Sequence, residues 1–125
     1  MYAANPNALR LEIMGENHVM SRFVKRKWGW YLTILDRKHF KVKLLRFNGR
    51  ESLSKQYHTL RNEVWLFLSG IGIFTLGGIN STRVHGGDYT LIQRGELHQY
   101  HPWSKTLVLE IQYGDKCEES DIVRI

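Results

Sequence analysis

Three side chains able to bind a metal, Gln56, His58 and Glu63, lie within one stretch of eight residues, and a fourth, His98, follows 35 residues beyond Glu63. Gln56 and His58 are two apart, so an extended strand points both to one face. A turn over Thr59 to Asn62 would bring Glu63, heading the next strand, back beside them. His98 comes after a glycine-containing turn and would close the set. Imidazole nitrogen and carboxylate oxygen hold a divalent transition metal at about 2.0–2.2 Å, and Gln56 could add an amide oxygen. The expectation is one divalent ion, zinc first, with manganese, iron, cobalt or nickel as alternatives. By spacing alone, His-x4-Glu with a remote histidine is a weak signal, and ordinary hydrogen-bonding roles outweigh it.

Positioning four such groups falls to β-structure. Trp30 to Leu35 is rich in aromatic and β-branched residues, and Asp36-Arg37-Lys38 reads as a hairpin turn into a second strand, His39 to Phe47. Phe40, Val42 and Leu44 alternate there with Lys41 and Lys43. If the apolar face is the core, both lysines point to solvent, which is the preferred reading. Asn48-Gly49 marks a turn, and Leu53 to His58 and Val64 to Ser69 read as the third and fourth strands. Ile73 to Leu76, Tyr89 to Gln93, Leu97 to Tyr100 and Thr106 to Tyr113 bring the total to eight to ten short strands, punctuated by glycines. Frequent turn signals with almost no helical periodicity predict an all-β sandwich or barrel.

The 125 residues make one domain. Hydrophobic residues are 42% and aromatics 12%, a globular composition. No apolar run approaches a membrane helix and no signal-peptide pattern opens the chain, so a cytoplasmic protein without membrane contact is expected. The single Cys117 excludes an internal disulfide and, with no histidine near it in sequence, reads as an inert thiol. A net charge of +6 favours anionic partners. The basic residues are dispersed and no nucleic-acid-binding signature is present, so a small phosphorylated ligand is expected rather than nucleic acid.

The spacing of Gln56-x-His58, Glu63 and Gly70, followed by Gly87, Gln93-x-Gly95 and His98, resembles the two cupin motifs, with Gln56 in place of the usual first histidine. Within the cupins the chain is similar to the carboxy-terminal domain of type II mannose-6-phosphate isomerases, often fused to a GDP-mannose pyrophosphorylase. The segments that carry this are Trp28-Gly29-Trp30-Tyr31, Phe40-Lys41-Val42-Lys43, Glu51 to His58, Arg61-x-Glu63-x-Trp65, Leu68-Ser69-Gly70, Glu110 to Gly114 and Glu119 to Arg124. The resemblance implies a double-stranded β-helix, the cupin jelly-roll barrel, over residues 25–125, with residues 1–24 as an amino-terminal arm. It also implies a metal held by Gln56, His58, Glu63 and His98, and a homodimer. No nucleotidyltransferase domain is visible in the chain, so pyrophosphorylase activity is not expected of it.

The implied reaction is the interconversion of mannose 6-phosphate and fructose 6-phosphate, by proton transfer between adjacent carbons. Cationic side chains would hold the phosphate, with Arg61, inside the motif, followed by Lys43, Arg94 and Arg124. With Glu63 and His98 binding metal, the general base is left among Glu51, Glu96, His101 and a metal-bound water. Trp103 is the candidate for stacking on a sugar, and Trp28, Trp30 and Trp65 read as core or interface. The chain departs from its family at Leu60 and Val64, where histidines are usual, and has one extra residue between Gly49 and Gln56. Those departures motivate an alternative, a sugar- or sugar-phosphate-binding module without catalysis. A third reading keeps the metal and changes the chemistry, to an iron-dependent oxygenase or another sugar isomerase or epimerase.

Overall fold

The computed structural model describes residues 23–125. Residues 1–22, which hold most of the expected amino-terminal arm, lie outside the described residues. Eleven strands follow: β1 Phe23–Arg26, β2 Gly29–Asp36, β3 Phe40–Phe47, β4 Gln56–Tyr57, β5 Arg61–Ser69, β6 Ile71–Leu76, β7 Asn80–His85, β8 Tyr89–Ile92, β9 His98–Pro102, β10 Thr106–Gly114 and β11 Val123–Arg124. Every pairing is antiparallel. The strands form two sheets, ordered β1-β2-β3-β10-β5-β8 and β11-β4-β9-β6-β7.

The inner faces of the sheets meet over an aromatic core. Phe47, Trp65 and Phe67 from the larger sheet pack against Phe74 and Tyr100 from the smaller one, with ring centroids 4.9–6.4 Å apart and mostly edge-on or tilted. All five rings are buried, each contributing about 1.5–3 kcal/mol of transfer free energy. Gly70 joins β5 to β6 at φ 95°, and a Cβ there would sit 2.4 Å from the Lys105 carbonyl oxygen. Only glycine meets both demands.

Three strands escaped the sequence pattern. β7 reads Asn-Ser-Thr-Arg-Val-His and buries only Val84, so it is an edge strand with no apolar alternation to reveal it. β1 and β11 are short and largely exposed. The expected third strand, Leu53 to His58, shrinks to β4, because the chain after Tyr57 turns to bond Asp121 instead of a neighbouring strand.

The facing of β3 is the reverse of the expectation. Lys41 and Lys43 are buried on the inner face, while Phe40 is exposed and Val42 and Leu44 lie on the outer face. The inward lysines are accommodated by Glu119 from the carboxy-terminal tail, which accepts from both ammonium groups. Lys43 also lies 4.0 Å over the Tyr31 ring.

Candidate metal centre and polar cavity

The turn that follows β4 is set by one side chain. The Asp121 carboxylate accepts the Thr59 amide at 2.9 Å, the Thr59 hydroxyl at 2.8 Å and the Leu60 amide at 2.9 Å. Burial pushes this carboxyl up in pKa, but the three donors hold it below its ordinary value. The Asp121 backbone carbonyl accepts from His58 Nδ1 at 2.6 Å. A carbonyl can only accept, so His58 carries its proton on Nδ1 and turns the Nε2 lone pair inward. His98, at the start of β9, has the same arrangement: Nδ1 donates to the Glu96 carbonyl at 3.1 Å. Its Nε2 is buried with no hydrogen-bond partner.

Both lone pairs converge on Glu63 near the start of β5. His58 Nε2 lies 3.2 Å from one carboxylate oxygen and His98 Nε2 lies 3.9 Å from the other. One ligand atom from each of the three residues lies within 4.8 Å of the others. Burial, chiefly, holds both imidazoles below their usual pKa, His58 to about 4, so both are neutral at pH 7. Arg61 brings one positive charge to Glu63 and the edge of His58, while the buried His98 Nε2 is left with no donor of its own. The donor set therefore fits a divalent ion, with the Nδ1 bonds fixing the tautomer as ligating imidazoles require. Gln56 is the cross-strand partner of His98, and its side-chain oxygen accepts from Ser54 at 3.1 Å.

Beside this triad lies a cavity of about 400 Å³. Gln56, Arg61, Trp65 and Glu110 line the side nearest the triad, and Tyr31, Lys43 and Glu119 continue the wall. Arg26, Lys27 and Arg124 also line it, and among the described residues none of the three forms an ion pair.

The cations expected to hold phosphate separate into distinct groups. Arg61 is buried and committed: its Nε donates to Glu63 at 2.9 Å and one terminal nitrogen to the Glu118 carbonyl at 2.8 Å. The other terminal nitrogen is 3.4 Å from His58 Nε2, so Arg61 orients the triad rather than reaching outward. Lys43 is paired with Glu119. Arg94 does not line the cavity and pairs with Asp115 at 3.0 Å. Arg124 alone of the four faces the cavity without an ion pair, and Arg26 and Lys27 join it there. Arg26 closes β1 and Lys27 follows it, and nothing local in the sequence marks either as facing the cavity.

Glu110 went unrecognised in the sequence. It is buried on β10, one oxygen 3.0 Å from Trp65 Nε1 and the other 2.8 Å from Gln112 Nε2. Burial, then the nearby Glu63 charge, pushes its pKa up to about 7 against the pull of Lys43 and Arg61. A carboxyl near neutrality on a cavity wall suits proton transfer better than Glu51, Glu96 or His101, none of which lines the cavity. His101 is exposed on the opposite face of β9 from His98, beside Ser52. Trp103 is exposed and Trp65 buried, and Cys117 is buried with its thiol pKa raised by burial.

Leu60 and Val64 lie outside the site. Val64 faces outward on β5 between Ile111 and Leu91, and Leu60 is exposed in the turn. Histidines at these positions would not enter the cavity in this fold.

The family model described as "Mannose-6-phosphate isomerase C-terminal" matches residues 14–125. The chain is 31% identical over 110 residues to the mannose-1-phosphate guanylyltransferase ManC of Salmonella typhimurium, covering 86% of this chain and 22% of that protein. It is 30% identical over 102 residues to the mannose-1-phosphate guanylyltransferase of Sinorhizobium fredii, covering 80% and 20% respectively. It thus spans about a fifth of the curated relatives it matches. Among solved structures, it resembles an uncharacterised protein with a double-stranded β-helix domain from Klebsiella pneumoniae at TM-score 0.68 and 14% identity, covering 85% of this chain and 92% of that one. A cupin superfamily protein from Desulfitobacterium hafniense gives TM-score 0.62 at 16% identity, covering 68% and 76%.

Proposed function

The chain belongs to the mannose-6-phosphate isomerase C-terminal family, and we propose that it is a metal-dependent isomerase interconverting mannose 6-phosphate and fructose 6-phosphate. The observation that carries the proposal is the convergence of two tautomer-fixed imidazoles and Glu63 beside a cavity lined by three cations that form no ion pair among the described residues and by a carboxyl of pKa about 7.

His58, Glu63 and His98 would hold the ion, with Gln56 beside them; when bound, a divalent metal polarises carbonyl and hydroxyl oxygens and stabilises the negative charge developed during proton transfer. Glu110 accepts and returns the proton between the adjacent carbons, since a group near pKa 7 both takes and releases it at neutral pH. Arg124, Arg26 and Lys27 bind the phosphate, the two arginines offering bidentate contact. Arg61 and Asp121 act through others: Arg61 holds Glu63, and Asp121 holds the turn that presents His58.

The reading without catalysis loses its original motive, because Leu60 and Val64 point away from the cavity. It is separated from the isomerase by assay. Purified protein of measured metal content is incubated with mannose 6-phosphate, and fructose 6-phosphate is quantified. Formation that disappears on chelation and returns with metal supports the isomerase. Saturable binding with no product under zinc, manganese, iron, cobalt and nickel supports the binding module.

A further inference from the structure

The segment from Ser52 to Gln56 runs beside β9 and leads away from the metal triad. Gln56 is the cross-strand partner of His98, the Leu53 amide donates to the Tyr100 carbonyl at 3.0 Å, and the Ser52 hydroxyl meets His101 Nδ1. From residue 52 to residue 56 an extended chain rises about 13 Å. Ser52, Ser54 and Gln56 all line the cavity, so three uncharged polar side chains form a row along one wall, starting at the triad.

The bonds within the row fix what it offers a ligand. Ser54 spends its only proton on the Gln56 side-chain oxygen at 3.1 Å, so toward the cavity it presents lone pairs alone. The Gln56 amide nitrogen keeps two N–H donors that make no hydrogen bond among the described residues. Ser52 is held by His101 in either tautomer: donating to the ring leaves it two lone pairs, and accepting from the ring leaves it a proton and one lone pair. The row thus asks for a partner that donates to Ser54 and accepts from Gln56. A phosphate dianion only accepts, and an alkyl chain does neither, whereas a hydroxyl does both.

We infer that Ser52, Ser54 and Gln56 form a hydroxyl-binding subsite, which makes the cavity selective for a polyhydroxylated phosphate monoester over the phosphate of a plain alcohol. A ligand without hydroxyls leaves the polar groups of the row unpaired, and that penalty supplies the discrimination. His101, exposed on the face of β9 opposite His98, is a positioning residue that acts by holding the Ser52 hydroxyl. The inference rests on the reading of the cavity as a sugar phosphate site and not on turnover, so it applies to the isomerase and to the binding module alike.

The test is isothermal titration of the whole chain, at its measured metal content, with mannose 6-phosphate and with hexyl phosphate, which keeps the phosphate and the carbon chain and lacks the hydroxyls. The wild type is expected to bind mannose 6-phosphate at least about 10-fold more tightly. Ser52→Ala and Ser54→Ala should each weaken mannose 6-phosphate by about 3- to 10-fold and leave hexyl phosphate unchanged. His101→Ala should repeat the Ser52→Ala result, and His101→Asn, whose amide can still bond the hydroxyl, should restore part of the loss. Arg124→Ala should instead weaken both ligands alike. Equal wild-type affinity for the two ligands, or serine variants that weaken both alike or neither, overturns the subsite and leaves the phosphate site standing. Binding of neither ligand to the wild type overturns the sugar phosphate reading and the subsite with it.

Discussion

The carboxyl groups of Glu63 and Glu110 stand one indole apart, Trp65 Nε1 lying 3.0 Å from an oxygen of each. Trp65 supplies one N–H to two acids, so the acids cannot both be charged at low cost. Arg61 donates to Glu63 from the far side, and burial with the neighbouring Glu63 charge pushes the Glu110 pKa up to about 7. Two carboxyls in one buried cluster are thereby assigned different work, one suited to holding a cation and the other to moving a proton.

Glu110→Gln tests the second role. The amide is nearly isosteric and cannot carry a proton, so kcat should fall by about 10²- to 10⁴-fold while bound metal is unchanged. The rate limb near pH 7 should vanish with it. Stability gives the opposite sign. A carboxyl raised from 4.5 to about 7 supports the fold fully below its unfolded pKa and loses that support as pH rises through 7. Glu110→Gln should therefore narrow the stability difference between pH 5 and pH 8, and a variant with unchanged kcat would remove Glu110 from the mechanism.

Metal removal should be visible without turnover. Binding of an ion at a hundredfold excess over its dissociation constant adds about 2.7 kcal/mol, read as a higher melting temperature than in chelator. His58→Ala and His98→Ala should abolish that difference. Metal analysis of the purified proteins should give one ion per wild-type chain and a deficit in both variants. An equal ion content in all three would remove the triad from consideration.

Asp121→Ala addresses the turn. Losing an acceptor of three hydrogen bonds should cost about 1–3 kcal/mol in denaturant unfolding. It should also weaken metal binding by about 10- to 100-fold, because His58 loses its fixed presentation. A variant destabilised to this extent but with wild-type metal affinity would confine Asp121 to folding.

Glu119 couples the tail to acid stability. Burial pushes this carboxyl up, but Lys43, Lys41 and Arg61 together hold it down at about 2. Its contribution is present above the ordinary carboxylate pKa and is lost as pH falls from there toward 2. Glu119→Gln should lower stability at pH 7, since Lys41 and Lys43 remain buried, and flatten the wild-type decline between about pH 4 and pH 2. Parallel curves for the two proteins would show that the lysines find other partners.

The sequence determined the strand-rich architecture and the order of the ligand residues, because alternation, turn glycines and motif spacing are local properties. Gln56-x-His58 with Glu63 and His98 could be named from the sequence alone. It left undecided which face of each strand turns inward. In β3 the apolar alternation is real, yet the larger sheet is apolar on its outer face as well, and Lys41 and Lys43 go inside because Glu119 meets them from 76 residues or more away. Glu110 acquires a pKa near 7 from burial and from the charge of Glu63, which folding and not sequence adjacency brings to it. Leu60 and Val64 looked like losses to the site and proved to lie on its outside. Burial and charge at a point are sums over neighbours brought together by folding, so only the tertiary structure could decide them.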